Sequence, residues 1–232
     1  MKVLITTTPF SDKDKKPIEL LEDYEIEYSL NPFSRKLTES ELIELISDFD
    51  AVIAGTEPIT SRVITAGTKL KLIARVGVGL DSVDLLAAKN RGVAVTYTPE
   101  APAPAVAELT IGLMLSLLRS IHLADRSLRE GIWDRMFGRR LADCTVGIIG
   151  VGRIGGRVVE NLIGLGCNNI LINDIDMRRN TRDNYTGKWV EKEEIYRDAD
   201  VISLHVPFSN ITKNMIGREE INMMKSETIL IN

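Results

Sequence analysis

The feature that most constrains this chain is the stretch Thr145-Val146-Gly147-Ile148-Ile149-Gly150-Val151-Gly152-Arg153-Ile154-Gly155-Gly156. The apolar, β-branched run from Val146 to Ile149 reads as a fully buried parallel strand. It runs into Gly150-x-Gly152-x-x-Gly155 just where a helical pattern begins. In such a turn Gly150 permits the tight bend, Gly152 lets backbone approach a pyrophosphate, and Gly155 lets the new helix pack close to the strand. The helix N-terminus then offers N–H groups to the anion.

A glycine turn alone is weak, so its surroundings decide. The helical pattern continues through Val158, Val159, Leu162 and Ile163 to a Gly164-Leu165-Gly166 stop. A second strand, Ile170 to Asn173, ends at Asp174, 19 residues past Gly155. A carboxylate there accepts both ribose hydroxyls of an adenosine and repels a 2′-phosphate, which favours NAD over NADP. Arg178 and Arg179 follow closely and would tolerate a 2′-phosphate, which tempers the preference. A plain βαβ unit with a surface Asp is the bland alternative; strand, glycines, helix and acid falling in one register weigh against it.

With 232 residues, the chain can bury one large or two modest cores. Its 44% hydrophobic and 27% charged residues are those of an ordinary soluble globular protein. The net charge of −4 and the lack of a basic block beyond pairs such as Arg139-Arg140 argue against nucleic-acid or anionic-membrane partners. Met1 to Ile5 reads as a first strand rather than a signal peptide. The apolar stretch Ile111 to Leu118 is too short to span a bilayer. Cys144 and Cys167 have no metal-type spacing, suit a reducing cytoplasm and are assigned to packing.

Residues 1 to about 100 alternate short strands (Val3 to Thr7, Tyr24 to Ser29, Ala51 to Gly55, Leu72 to Val76, Val93 to Tyr97) with amphipathic helices (Glu19 to Glu22, Glu39 to Ser47, Arg62 to Ala66, Val83 to Lys89). Thr38 to Glu41 fits a capping box. Such a series predicts a parallel sheet covered on both faces. After its fourth strand, Arg75-Val76-Gly77-Val78-Gly79-Leu80-Asp81 reads equally as an anion nest for a substrate carboxylate or as a glycine turn capped by Asp81 or Ser82. Arg75 adds a cation there, or is a solvated charge or a partner for Asp81.

Three prolines in six residues, Pro99 to Pro104, predict a stiff crossing between two domains. Ala105 to Leu118 then reads as a helix with Val106, Leu109, Leu113 and Leu117 on one face. Its nearly all-round apolarity predicts burial, partly against a second subunit. Arg119 to Glu130 continues as a more polar helix ended by Gly131-Ile132-Trp133. Later segments read as a charged helix (Glu191 to Arg197), a buried strand (Asp200 to Pro207), a turn or helix (Met215 to Met224) and a last strand (Glu227 to Asn232).

By its motifs the chain resembles the D-isomer-specific 2-hydroxyacid dehydrogenases. The likeness rests on Gly77-Val78-Gly79-Leu80-Asp81-Ser82-Val83-Asp84, Ala105-Val106-Ala107-Glu108, Gly131-Ile132-Trp133, the Gly147 to Gly155 stretch, Ser203-Leu204-His205-Val206-Pro207, and Met224-Lys225 through Ile231-Asn232. The resemblance implies two doubly wound parallel-sheet domains: a flavodoxin-like substrate domain over residues 1–100, and a Rossmann NAD domain over residues 101–232 that is incomplete. The active site would lie between them. It further implies that Val78 and Gly79 offer N–H groups to the substrate carboxylate. Gly150, Gly152, Gly155, Arg153 and Ile154 would hold the pyrophosphate, Asp174 the ribose, and His205, Val206 and Pro207 would wall the adenine side. Pro102 and Ala103 stand where many members carry Asn and Thr, so a cofactor contact made by that Thr is not carried over.

In the family a substrate-anchoring Arg, a proton-donating His and a Glu that tunes its pKa all follow the final Ile-Asn strand, so no catalytic residue is assigned within residues 1–232. Neither His122 nor His205 is assigned as the proton donor in their place. The expected activity is NAD-dependent hydride transfer between a nicotinamide and a 2-oxo or 2-hydroxy acid, including 3-phosphoglycerate or hydroxypyruvate, by a cytoplasmic homodimer. A nucleotide-sensing or corepressor-like binding module on the same scaffold is the alternative. An adenosylhomocysteine hydrolase is disfavoured by the Gly77-Val78-Gly79 loop.

Overall fold

The computed structural model describes residues 1–176 and 187–232, in two compact units, Met1–Pro102 and Ala103–Asn232. In the first, strands β1 (Lys2–Ile5), β2 (Glu27–Leu30), β3 (Ala51–Ala54), β4 (Leu72–Arg75) and β5 (Ala94–Tyr97) form one parallel sheet in the order β2-β1-β3-β4-β5. Side chains alternate across it, as the pleat requires. Leu4, Val52 and Ile73 pack with residues of α2 (Glu39–Ile46), α3 (Ser61–Ala66) and α4 (Leu85–Asn90). Val3, Ile5 and Ala51 face Leu21 of α1 (Lys16–Asp23) on the other side. Helices of six and eight residues are too short to persist alone. Burial of side chains such as Leu42, Ile46 and Ile64, each worth roughly 1.5–3 kcal/mol, is what holds them.

Helix starts follow the sequence with small shifts. Thr38 and Glu41 form the expected capping box. Helix α4 begins two residues later than expected because Asp84 caps it, accepting the Ala87 N–H at 2.9 Å. Strand β2 begins at Glu27 rather than Tyr24, since Glu25 turns with φ +52°.

The second unit carries β6 (Val146–Ile149), β7 (Ile170–Asn173), β8 (Lys188–Trp189), β9 (Val201–Leu204) and β10 (Ile229–Ile231), all parallel, in the order β10-β9-β6-β7-β8. Val146, Ile148 and Ile170 pack against α5 (Ala103–Leu118) and α7 (Arg153–Gly164). Ile149, Leu171 and Ile202 face α8 (Lys192–Asp198) and α9 (Arg218–Met223). Both units are thus doubly wound parallel sheets.

Helix α5 departs from expectation at three points. It starts at Ala103, with Pro104 inside its first turn, where the missing N–H needs no partner. It is not buried all round: its buried residues are Ala103, Ala107, Thr110, Met114 and Leu118, whereas Leu109, Leu113 and Leu117 on the other apolar face are 61%, 41% and 42% exposed. A helix apolar on nearly all sides gives periodicity little to choose by, and packing against the unit's core selects the face that carries Ala107, Met114 and Leu118. Finally, Ser120 turns left-handed (φ +51°), so α6 (Ile121–Arg129) is a separate helix bent 65° from α5 rather than its continuation. Among the described residues no single helix is long and apolar enough to cross a membrane.

Gly147 shows how tightly α8 packs on the sheet: a Cβ there would stand 2.3 Å from Ile195 Cγ2. Exposed Gly164, with nothing within 4 Å, has no such neighbour. We expect Gly147→Ala to destabilise the protein by about 1–3 kcal/mol in denaturant unfolding. Gly164→Ala should be neutral or stabilising by up to about 0.5 kcal/mol. Equal effects from the two would contradict the packing described.

Candidate functional site

The strand order of the second unit puts its topological switch between β6 and β9, and ligands of open α/β sheets bind at the carboxyl ends of such a pair. Gly150 leaves β6 and His205 leaves β9. Their backbones are tied to the sheet, the Gly150 N–H donating to Asn173 O and the His205 N–H to Ile149 O, both at 2.8 Å. Gly150 turns at φ +92°, and a Cβ on it would lie 2.6 Å from His205 O. A Cβ on Gly155 would lie 1.9 Å from Gly150 O. Neither position tolerates a side chain, so the turn stays bare where the helix begins.

Helix α7 starts directly after Gly152, which has no side-chain cap. Among the described residues the N–H groups of Gly152, Ile154 and Gly155 have no acceptor; the first bond of the helix is Gly156 N–H to Gly152 O at 3.0 Å. These open donors and the positive end of the helix suit an anion. Arg153 is exposed at the first helical position. Asp174, just past β7, is drawn to the same turn: Oδ2 accepts the Val151 N–H at 2.7 Å and Oδ1 the Asp176 N–H at 2.9 Å. A Cβ-free turn, backbone donors and a carboxylate after the second strand together fit the pyrophosphate and ribose of a dinucleotide. Arg178 and Arg179 lie outside the described residues.

His205 turns its ring inward, with Nε2 2.9 Å from Ser203 Oγ. Burial lowers its pKa from 6.5 to about 4, so the ring is neutral at neutral pH. With half-buried Val206 and exposed Pro207 it forms an uncharged flank of the crevice. His122 is exposed on α6.

In the first unit, Val78 and Gly79 follow β4, and among the described residues their N–H groups have no acceptor. Gly77, at φ +140°, donates its N–H to Thr98 Oγ1 at 2.8 Å, which pins the loop. Arg75 is only 9% exposed and lies across Gly77, where a Cβ would meet Nη1 at 2.5 Å. Nη1 donates to the Val76 carbonyl, while buried Nε has no partner. Arg75 is therefore not a solvated charge, and among the described residues it makes no ion pair with Asp81. Sequence reasoning missed Glu57, which is 2% exposed just past β3. Its signal was an acid two residues beyond a buried strand, in Gly55-Thr56-Glu57-Pro58.

The histidine makes a pH prediction. Because its folded pKa lies below the unfolded value, protonation favours the unfolded chain. The contribution is intact above pH 6.5 and is lost as pH falls through that value toward about 4. In thermal unfolding over that window, His205→Gln should lose less stability than the parent protein. Parallel profiles would show that the ring is not buried neutral.

Known proteins match this arrangement. Residues 111–232 match the family described as D-isomer specific 2-hydroxyacid dehydrogenase, NAD binding domain. A hydroxypyruvate reductase of Thermotoga maritima is 37% identical over 222 residues, covering 94% of this chain and 70% of its own length. A D-3-phosphoglycerate dehydrogenase of Methanocaldococcus jannaschii is 38% identical over 238 residues, but this chain spans only 43% of it. The solved NAD+-bound 3-phosphoglycerate dehydrogenase of Entamoeba histolytica superposes with a TM-score of 0.81 at 33% identity, over 99% of this chain and 70% of that one. Motif order, bare glycine turn and matched relatives agree: the chain belongs to the D-isomer-specific 2-hydroxyacid dehydrogenase family, and its second unit carries that family's NAD-binding domain.

Proposed function

We propose that the protein containing this chain is an NAD-dependent oxidoreductase that interconverts a 2-oxo acid and a D-2-hydroxy acid. The observation that carries this is the crevice between β6 and β9, where open N–H groups, a bare turn and Asp174 converge. In this reading Gly152, Ile154 and Gly155 donate to the pyrophosphate, with Gly150 keeping the approach clear and Arg153 adding charge. Asp174 accepts the ribose hydroxyls, and His205, Val206 and Pro207 exclude water from the adenine side. NAD(H) supplies the hydride.

The first unit carries its own set of backbone donors. Val78 and Gly79 N–H groups, without an acceptor among the described residues, support a carboxylate-binding role, and the Arg75 guanidinium packed against Gly77 adds positive charge to the loop. A carboxylate held by bonds from charged and backbone donors gains roughly 1.5–3 kcal/mol from each charged one, which suffices to fix the orientation of a small acid. The resemblance assigns polarisation of the carbonyl and proton transfer to an Arg, a Glu and a His that in the family follow the final Ile-Asn strand.

Exposed Leu109, Leu113 and Leu117 on α5, with Ile121 and Leu128 on α6, further support a homodimer. Sedimentation at micromolar concentration should give twice the monomer mass, and Leu113→Glu should shift it toward monomer; a monomeric parent protein removes this reading.

For activity, the full-length protein should oxidise NADH in the presence of hydroxypyruvate or glyoxylate and prefer NADH to NADPH. Asp174→Asn should narrow that preference by about tenfold, since the acid no longer repels a 2′-phosphate. Cofactor binding without turnover across a panel of 2-oxo acids would favour a nucleotide-sensing module instead.

A further inference from the structure

The N–H groups of Val78 and Gly79 present a fixed pair of donors only if the glycine before them is held in place, and glycine is the most permissive residue. Gly77 adopts φ +140°, a region rarely open to residues with a side chain. Strands β4 and β5 pair as far as Arg75 and Tyr97. Just beyond that pair, Thr98 bonds Gly77 twice. Its hydroxyl accepts the Gly77 N–H at 2.8 Å, and its own N–H donates to the Gly77 carbonyl at 3.1 Å. A peptide unit is planar and trans, so the Gly77 carbonyl and the Val78 N–H point in opposite directions. Holding the carbonyl toward Thr98 aims the Val78 N–H away from β5.

The peptide unit before Gly77 is held at both ends. Its carbonyl, on Val76, accepts the Arg75 guanidinium, and its N–H is the one that Thr98 accepts. Farther along, Ser82 O accepts the Ile59 N–H at 2.8 Å and the Asp84 N–H donates to Ile59 O at 2.9 Å. Between these two anchors, no N–H from Val78 to Asp81 has an acceptor among the described residues. Val78 is 44% exposed and Gly79 half-buried, so the span lies at the surface. The sequence prepares Thr98 for its part. Pro99 keeps the residue before it out of the helical region, and a β-branched side chain has few χ1 choices, so the hydroxyl is directed before any ligand arrives. Thr98 is exposed, so its side chain is not there to fill the core.

We propose that Thr98 is a positioning residue for the substrate carboxylate: through Gly77 it fixes the directions of the Val78 and Gly79 N–H groups before the acid binds. This rests on the carboxylate-binding reading above. Hydrogen bonds weaken steeply when misaligned, so donors that must find their direction bind less well than donors already set. Preset donors also lose little backbone freedom on binding, and that saving appears as affinity. The carboxylate is not the reacting centre, so its bonds are alike in the ground and transition states. Their loss therefore raises KM more than it lowers kcat.

The test is steady-state kinetics of the full-length protein with NADH and hydroxypyruvate. Thr98→Val keeps the shape and removes the hydroxyl. It should raise KM for hydroxypyruvate about tenfold, the lower limit for losing one charge-assisted bond, with kcat changed less than about threefold and KM for NADH less than about twofold. Thr98→Ser keeps the hydroxyl and should stay within about threefold of the parent KM. A hydroxyl that only supports the fold would instead lower the thermal midpoint of Thr98→Val and leave KM unchanged. That result overturns the proposal, as does a KM raised equally in Thr98→Ser or a parallel rise in KM for NADH. Should Thr98→Val not fold, Thr98→Ala decides by the same criteria. If no 2-oxo acid is reduced, the activity reading fails separately, and calorimetric titration with oxamate, an isostere of pyruvate, decides. Binding that weakens about tenfold in Thr98→Val and returns in Thr98→Ser supports the positioning role. No binding to the parent protein, or equal binding to all three, overturns it.

Discussion

The carbonyl of Gly150 and the backbone of Gly155 approach so closely that a methyl group on residue 155 would stand 1.9 Å from the oxygen. The rest of the second unit depends on that approach. It lets α7 begin at once after β6, with its first turn uncapped and its N–H groups turned to the carboxyl end of the sheet. A hydrogen bond to a charged group is worth roughly 1.5–3 kcal/mol, so three such donors suit an anion such as a pyrophosphate without any long side chain being ordered. His205 enters the same constraint from β9, because its carbonyl occupies the space a Gly150 side chain would need. Strand, turn and flank are thus one packing solution rather than separate features.

Both units use the same device with different chemistry. Each is a parallel sheet whose strand order reverses once, and each leaves unbonded backbone donors at strand ends: Gly152, Ile154 and Gly155 in one, Val78 and Gly79 in the other. The first unit also buries side-chain charge there. Arg75 and Glu57 are each bonded locally, Arg75 to the Val76 carbonyl and Glu57 to Thr6 and Gly55, yet not to each other. A direct ion pair would satisfy both more fully.

The buried cysteines make a useful contrast. Cys144 and Cys167 sit in the core of the second unit, and burial raises both thiols above the usual cysteine range, which keeps them protonated and inert. Glu57 and Arg75, by contrast, are buried at strand ends, where Thr6, the Gly55 N–H and the Val76 carbonyl bond them.

Much of this was legible in the sequence because its signals are local. The run Val146 to Ile149, the three glycines, Asp174 and the Thr38–Glu41 cap each report on backbone geometry within a few residues, and the elements read from the sequence stand within three residues of their patterns, while the two-residue strand β8 gave no signal. What failed was whatever depended on a partner across the fold. Helix α5 is apolar nearly all round, so only contact with α7 and the sheet could select Ala107, Thr110 and Met114 as its inner face over Leu109 and Leu113. The left-handed turn at Ser120 carried no glycine to announce it. Glu57 and Arg75 read as ordinary charges in sequence; their burial arises from strand pairing that brings residues 6, 55 and 75 to one edge of a sheet. The sequence by itself determined two parallel-sheet units and a dinucleotide turn, since periodicity and glycine spacing act over short range. Tertiary structure alone decided which faces and charges are buried, because burial depends on neighbours distant in the chain.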